Sequence, residues 1–144
     1  MANHHCSTAD FSFDVPEGWT NRTIVAWSAP ASSSPVPPNV VVAYDRPKLN
    51  EVLGEYVNRQ LNDLGKTAQG FQLELRREIT FNERAAIEII FVWNAGPGSM
   101  KQRQVFCKMP RGRVVSIATT ARTSDFEEAD KQFRQILRSF RWTS

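Results

Sequence analysis

Hydrophobic and polar positions between residues 85 and 121 fall into three short segments that turn residues separate. The segments are rich in β-branched and aromatic side chains, which is typical of β-strands, and comprise residues 85–93, 101–109 and 114–120. Glycine and proline supply the turn geometry in the two stretches between them, 94–99 and 110–113. The pattern therefore predicts a three-stranded antiparallel meander.

The first strand of this meander is apolar on both sides. Because successive side chains of a strand point to opposite faces, alternate residues share one face. One set is Ala85, Ile87, Ile89, Phe91 and Trp93, and the other is Ala86, Ile90 and Val92, interrupted only by Glu88. An antiparallel strand with one solvated face should alternate between apolar and polar residues. We therefore expect something to cover each face of this strand.

Helical spacing of apolar residues occurs in two other stretches. From about Asn50 to Leu64, one stripe consists of Val52, Leu53, Tyr56, Val57, Leu61 and Leu64. Gln60 lies at the edge of this stripe, either as a boundary residue or as a polar group that faces a partner. A second apolar stripe predicts a closing helix that starts near residue 124.

The remaining alternating segments complete the predicted fold. Further strands are expected at residues 11–15, 22–28, 39–45 and 71–79. The fold class is α+β, with an antiparallel β-sheet of six or seven strands and two helices packed on one face. We expect a single domain over residues 9–144, a disordered N-terminus at 1–8, and an extended Ser/Pro-rich surface loop at 29–38.

Charge gives little support to nucleic-acid binding. The formal net charge is only +3, whereas a nucleic-acid surface needs clustered positive charge. The second hairpin carries five cations, Lys101, Arg103, Lys108, Arg111 and Arg113. A sheet with cations and an aromatic such as Phe106 could stack bases, but charges that protect an exposed hairpin are commoner. We therefore expect no nucleic-acid partner.

Motifs for catalysis and metal binding are missing from the sequence. It has no phosphate-binding loop and no Gly-x-Ser-x-Gly nucleophile turn. Both histidines are N-terminal, and His4, His5 and Cys6 lack the spacing of a zinc site. We expect a protein that is not an enzyme and holds no metal or cofactor, with Cys107 as a small core residue.

Targeting and membrane signals are also missing. Residues 1–10 have neither a basic start nor an apolar run, so the sequence predicts no secretion signal. No stretch approaches the roughly 18 apolar residues of a membrane helix. We therefore expect a cytoplasmic protein without stable membrane insertion.

Two helices on one face would leave the other face of the sheet apolar and exposed. Its members would be Ile24 and Ala26 or Val25 and Trp27, together with part of residues 40–43 and Ile90 or Val92. Such a patch is larger than a soluble monomer normally exposes. Dimerisation, an apolar ligand or a bound hydrophobic segment would each resolve it. Small side chains at Ala26, Ala43 and Ala118 suit a helix that is itself rich in small residues.

The order of segments resembles the DcrB/PsbP-like domain family, most closely its cytoplasmic Eag branch of adaptor chaperones for type VI secretion. The resemblance covers residues 10–142. The segments that carry it are Phe13–Trp19, Tyr56–Leu61, Gly70–Phe71, Arg103–Phe106 and Ile117–Thr120. It implies a homodimer that binds the transmembrane helices of a PAAR-containing effector before export. A small apolar-ligand or lipid-binding module of the same fold is the alternative.

The same resemblance implies which residues bind the partner. Ile24, Ala26, Val41, Leu64 and Ala68 would line an apolar groove, with Gln60 and Gln104 as its polar groups. A membrane helix outside its bilayer still has polar backbone groups at helix breaks and small-residue positions. An amide side chain offers both a donor and an acceptor to such groups where water is excluded.

Overall fold

The computed structural model describes residues 4–31 and 35–143, which form eight strands and two α-helices. The strands are β1 (His4–Ser7), β2 (Ser12–Val15), β3 (Ile24–Ser28), β4 (Asn39–Asp45), β5 (Gln72–Phe81), β6 (Arg84–Asn94), β7 (Ser99–Met109) and β8 (Arg113–Arg122). The helices are α1 (Leu53–Thr67) and α2 (Thr123–Ser139). Residues 32–34 of the predicted surface loop lie outside the described residues.

Six strands form one antiparallel sheet in the order β3-β4-β8-β7-β6-β5. This confirms the predicted α+β class and the meander of β6, β7 and β8. β1 and β2 form a separate two-stranded sheet, in which His5 Nδ1 lies 3.0 Å from Asp14 Oδ1. The prediction of a disordered 1–8 is therefore wrong for residues 4–7, because they pair with β2; residues 1–3 lie outside the described part.

One face of the large sheet, here called the α1 face, packs against α1. Ile87, Ile89 and Phe91 of β6 and Phe106 of β7 point to this face, and each is at most 3% exposed. Apolar side chains of α1, including Tyr56, pack on them. Burial of this apolar cluster away from water is the main interaction that holds α1 against β6 and β7.

The opposite face packs against α2. Val105 and Cys107 of β7 and Ile117 of β8 alternate with residues of the α1 face, so they point to the other side. The α2 residues Leu137 and Phe133 belong to the apolar clusters on that side. The expectation of two helices on one face is therefore wrong. This arrangement explains why β6 is apolar on both sides: each face of the sheet packs against its own helix.

Buried charges also attach α2 to the sheet. Arg103 of β7 donates to Glu88 Oε2 and to Asp130 Oδ2 of α2, both at 3.1 Å. Asp130 accepts a further bond from Arg134 at 2.9 Å, and Glu88 accepts one from Arg77 at 2.7 Å. Glu88, which interrupts the apolar pattern of β6, thus has partners on its own face. Removal of one member would leave a buried charge without compensation.

Helix α1 begins later and ends later than the sequence predicts. Asn50 has a φ of +62° and lies in a turn before the helix, which begins at Leu53. The Val52 N–H donates to Glu55 Oε1 at 3.1 Å, which satisfies one free donor at the helix start. Gly65 lies inside the helix, which continues to Thr67.

Candidate functional site

Helix α1 covers only part of its face of the sheet. The uncovered part lies on β3, β4 and β8, and we call it the open half: Ile24, Ala26, Val41, Ala43, Ser116 and Ala118. None of these six residues is buried, and Ile24 is 64% exposed. The open half is therefore an apolar surface that no helix of the described chain covers.

Most side chains of the open half are small. Ala26, Ala43, Ala118 and Ser116 keep the sheet surface low beside α1, which stands above it as a wall. The open half and the adjoining side of α1 together form a groove, and we use that name for them below. Small residues allow a second helix to approach closely. The groove is therefore a low, largely apolar surface beside a helical wall.

Three hydrogen bonds define which side of α1 forms the wall. Tyr56 Oη donates to Asp45 Oδ2 of β4 at 2.7 Å, so this side of α1 faces β4. Arg76 of β5 donates to Asn58 and to the carbonyl oxygen of Gly54 on the other side of the helix. Gln60 lies one turn after Tyr56 and therefore faces the groove. Its side chain is half-buried and makes no hydrogen bond to any described residue.

Leu64 and Ala68 follow Gln60 at intervals of four residues along α1. Leu64 is half-buried and packs against the core under α1, so it borders both the core and the groove. Ala68 caps the helix, and its N–H donates to the carbonyl oxygen of Leu64 at 2.8 Å. Because four residues make slightly more than one helical turn, the side chain at each of these positions points further toward the sheet than the one before it. Gln60 thus faces the groove more fully than Leu64 and Ala68 do.

Gln104 of β7 marks the boundary between the open half and the part of the sheet under α1. Its neighbours across the strands are Ala118 in the open half and Ile89 in the core. Gln102 Nε2 donates to Gln104 Oε1 at 3.0 Å, and Thr120 Oγ1 donates to Gln102 Oε1 at 2.9 Å. The chain of bonds occupies the oxygen of Gln104 and leaves its amide N–H groups without a partner among the described residues.

The structure brings all seven predicted partner-binding residues to one region. Ile24, Ala26, Val41 and Gln104 share the α1 face, Gln60 and Leu64 lie on α1, and Ala68 caps its C-terminal end. Their binding role stays a prediction. Sequence reasoning missed Gln102 and Thr120, which orient Gln104. The signal for Gln102 was present, because residues two apart on a strand share a face.

The cations of the second hairpin do not form one continuous surface. Arg103 is buried in the network with Glu88 and Asp130, and Lys101 pairs with Glu74 at 2.9 Å. The other three cations lie near the turn between β7 and β8. A strip of free cations along the strand, which a nucleic-acid backbone would need, is therefore interrupted.

The single cysteine of the main sheet is a core residue, as predicted. Cys107 is fully buried, and this burial raises the pKa of its thiol to about 12. The thiol is therefore protonated at neutral pH and is a poor nucleophile.

The described residues contain neither a cluster of metal ligands nor a membrane-spanning helix. No three of their His, Cys, Asp or Glu side chains are grouped so that they could hold a metal ion. None of their helices combines the length and the apolar character needed to cross a membrane.

Comparisons with known proteins agree with the fold described above. The Pseudomonas aeruginosa protein named Effector EagT6 is 29% identical over 126 residues, which are 86% of this chain and 88% of that protein. A crystal structure of PA94, a P. aeruginosa protein of unknown function described as a putative regulator, has a TM-score of 0.84 at 22% identity and covers 99% of this chain and 98% of its own.

A more distant structure has the same fold. The solution structure of PsbP from Synechocystis has a TM-score of 0.55 at 12% identity, over 96% of this chain and 91% of its own. The likeness confirms the PsbP-like fold that the sequence predicts. The family model of DcrB matches residues 11–139, nearly the whole chain. This chain therefore belongs to the DcrB family.

Proposed function

We propose that this protein is a cytoplasmic adaptor chaperone without enzymatic activity. It binds the apolar transmembrane helices of a PAAR-containing type VI secretion effector and shields them from water before export. The observation that carries the proposal is the groove, a solvent-exposed apolar surface with unpaired amide groups at its border. The similarity to EagT6, whose name refers to an effector, supports a role connected with effectors.

The chemistry of the groove fits a helix better than an unstructured apolar chain. Ala26, Ala43 and Ala118 make a smooth floor on which small-residue positions of a helix can pack. Such positions leave backbone carbonyl oxygens partly open, and these need donors where water is excluded. The free N–H groups of Gln104 and Gln60 supply donors on the floor and on the wall.

The edge strand β3 supports the homodimer that this proposal includes. Ile24, Val25 and Trp27 are 64%, 48% and 72% exposed, so β3 is apolar and open on both faces. The opposite edge strand, β5, carries Glu74 and Arg76, which protect it against pairing with another chain. A second copy placed at β3 would cover this edge and extend the floor of the groove. Light scattering of the purified protein tests the dimer.

A charge placed in the groove tests the proposed site. Gln104→Glu and Gln60→Glu would each set an unpaired carboxylate against an apolar helix, so capture of the effector should be lost. The free energy of unfolding should change by no more than about 1 kcal/mol, because both side chains reach solvent. Gln135→Glu, on the exposed side of α2, is the matched control and should keep capture.

The readout is mass spectrometry of proteins and lipids that co-purify with the tagged chain from its native cells. A stoichiometric effector with membrane helices, lost in both groove variants and kept in the control, supports the chaperone. Capture that persists in both groove variants would overturn the assignment of the site. Bound lipid without a protein partner would favour the lipid-binding module instead.

A further inference from the structure

Five cations meet at one end of the large sheet, where β4 and β7 end and β8 begins. We call this region the basic end: Arg46, Lys48, Lys108, Arg111 and Arg113. No carboxylate of a described residue lies within 4.0 Å of their charged groups, since none of them takes part in a salt bridge. Their combined charge exceeds the net charge of +3 of the whole chain.

The acidic residues nearest in sequence are already engaged by other partners. Asp45 accepts the hydrogen bond from Tyr56, and Glu51 makes two bonds to Arg59 at 2.8 and 2.9 Å. The hydrogen bond from Arg59 lowers the pKa of Glu51 to about 2. Tyr56 is neutral, so Asp45 keeps its negative charge, whereas the charge of Glu51 is balanced by Arg59. The five cations of the basic end therefore still outnumber the one uncompensated carboxylate beside them.

The basic end is concave and partly apolar. Lys48, Lys108 and Arg113 line a cavity of about 350 Å³ together with Leu53, Val114 and Glu51, whose carboxylate is paired with Arg59. Leu49, also in its lining, is 93% exposed and thus has almost no packing of its own. A flat surface such as a lipid bilayer would reach the outer cations but not the cavity. A peptide segment fits the concave shape better.

The cavity lies at one end of the groove. Val114 pairs with Asp45, four residues along β4 from Val41, which is about 13 Å at the rise of a strand. Leu53 precedes Gln60 by seven residues, which is about 10 Å along α1. Leu53 and Val114 also belong to the apolar cluster under α1. A segment that lies in the groove would therefore bring its flanking residues to the basic end.

We infer that the basic end binds acidic residues that directly flank the apolar segment held in the groove, and so selects the orientation of that segment. This inference rests on the proposed chaperone function. Opposite charge attracts the flank, while Leu49 and the cavity accept an apolar side chain next to it. Each exposed ion pair adds little, so several pairs together should give about a tenfold preference at low salt. Screening should remove most of this preference at high salt.

The test uses defined segments fused to a soluble carrier protein. Each contains an apolar helix of about twenty residues, flanked by a short run of either aspartates or asparagines, placed before or after the helix. Affinities for the full chain are measured at low and at high salt. We expect one aspartate placement to bind about tenfold more tightly than its asparagine counterpart at low salt only.

Variants of the chain then locate the effect. Lys48→Gln/Lys108→Gln should remove the preference for aspartate and leave the affinity for the asparagine segment unchanged, which also shows that the variant is folded. Lys131→Gln/Arg138→Gln removes the same charge from α2, on the opposite face, and should keep the preference.

The outcomes separate this inference from the proposed function. Equal affinity for aspartate and asparagine segments in both placements would overturn the inference and leave the chaperone function standing. Failure of every segment to bind would overturn both. Binding of anionic vesicles that is lost in Lys48→Gln/Lys108→Gln, with no preference among the segments, would assign the basic end to a membrane surface and overturn the inference.

Discussion

One row of paired residues crosses the α1 face from solvent to core. It runs Ala26, Val41, Ala118, Gln104 and Ile89, one residue from each of five strands. Ala26 is exposed, whereas Ile89 is completely buried under α1. The backbone pairing is the same along the whole row. The two ends differ only in side-chain size and in the presence of a helix above them.

The difference shows how one face of a sheet carries both a closed core and an exposed apolar surface. Under α1, Ile87, Phe91 and Phe106 are large enough to fill the space between sheet and helix. In the open half, residues such as Ala43 are too small to do so, and no helix of the described chain lies above them. Gln104 stands where the two regions meet.

The largest expected effect is the loss of stability when a large side chain is truncated, which should be much greater in the core than in the open half. Ile89→Ala leaves a cavity in the closed core and should lower the free energy of unfolding by about 2–5 kcal/mol. Val41→Ala, in the same row but half-exposed, should cost less than about 1.5 kcal/mol because the site is already open to water. Urea denaturation measures both. Equal losses would contradict the division of the face into a core and an open half.

Enlargement of a small side chain in the open half should affect binding strongly and stability little. Ala118→Leu raises the floor of the groove and should abolish capture of an apolar helix, because the helix could no longer approach closely. The free energy of unfolding should change by only about 0.5 kcal/mol, since the new side chain points to open space. Ala85→Leu, at an exposed position of β6, is the matched control. Full capture by Ala118→Leu would place the bound helix elsewhere.

The sequence predicted those parts of the fold that depend on local pattern. The bounds of β4, residues 39–45, follow from its apolar run and its flanking turn residues, and the structure has the same bounds. Turn residues likewise separated the strands of the meander. The placement of α2 on the opposite face could not be predicted in this way, because it depends on packing between segments distant in sequence.

The site followed from the sequence only with the help of the family resemblance. Alternation places Ile24 and Ala26 on one face of β3, but it does not say that Val41 and Ala118 lie beside them. That adjacency depends on the register of non-local pairing. The basic end was missed for the same reason, since Arg113 and Arg46 become neighbours only through the pairing of β4 with β8.

A smaller effect is expected from the Tyr56–Asp45 hydrogen bond, which fixes the side of α1 that faces the groove. Tyr56→Phe removes the donor to Asp45 and should lower the free energy of unfolding by about 1 kcal/mol. Capture of the effector should weaken as well. Gln60 lies on the same side of α1 as Tyr56, and without the bond this side is no longer fixed toward β4. Tyr44→Phe is the matched control, since its hydroxyl has no hydrogen bond to a described residue. Equal stability of the two variants would show that Asp45 does not position α1.

The smallest effect should come from the ion pair that ties the loop before α1 to the helix. The pKa of Glu51 falls from 4.5 to about 2 in the folded protein, chiefly through its hydrogen bond from Arg59. A lowered folded pKa means that the pair stabilises the protein fully above pH 4.5 and that this contribution is lost as the pH falls toward 2. Glu51→Gln should therefore show a shallower decline of stability over that interval than the wild type. The difference should be modest because the pair is only part-buried, with 10% of the Glu51 side chain and 29% of the Arg59 side chain exposed.

Thermal unfolding followed by circular dichroism at several pH values between these limits measures the two slopes. Glu17→Gln removes a carboxylate that has no ion pair within the described residues, so its slope should match the wild type. Loss of the Glu51 pair should loosen the entry to α1 while Ile89 and Phe106 keep the helix on its own part of the sheet. If Glu51→Gln and the wild type instead decline in parallel, the pair contributes nothing to the fold. The apolar cluster and the Tyr56–Asp45 bond would then be sufficient to hold α1 beside the groove.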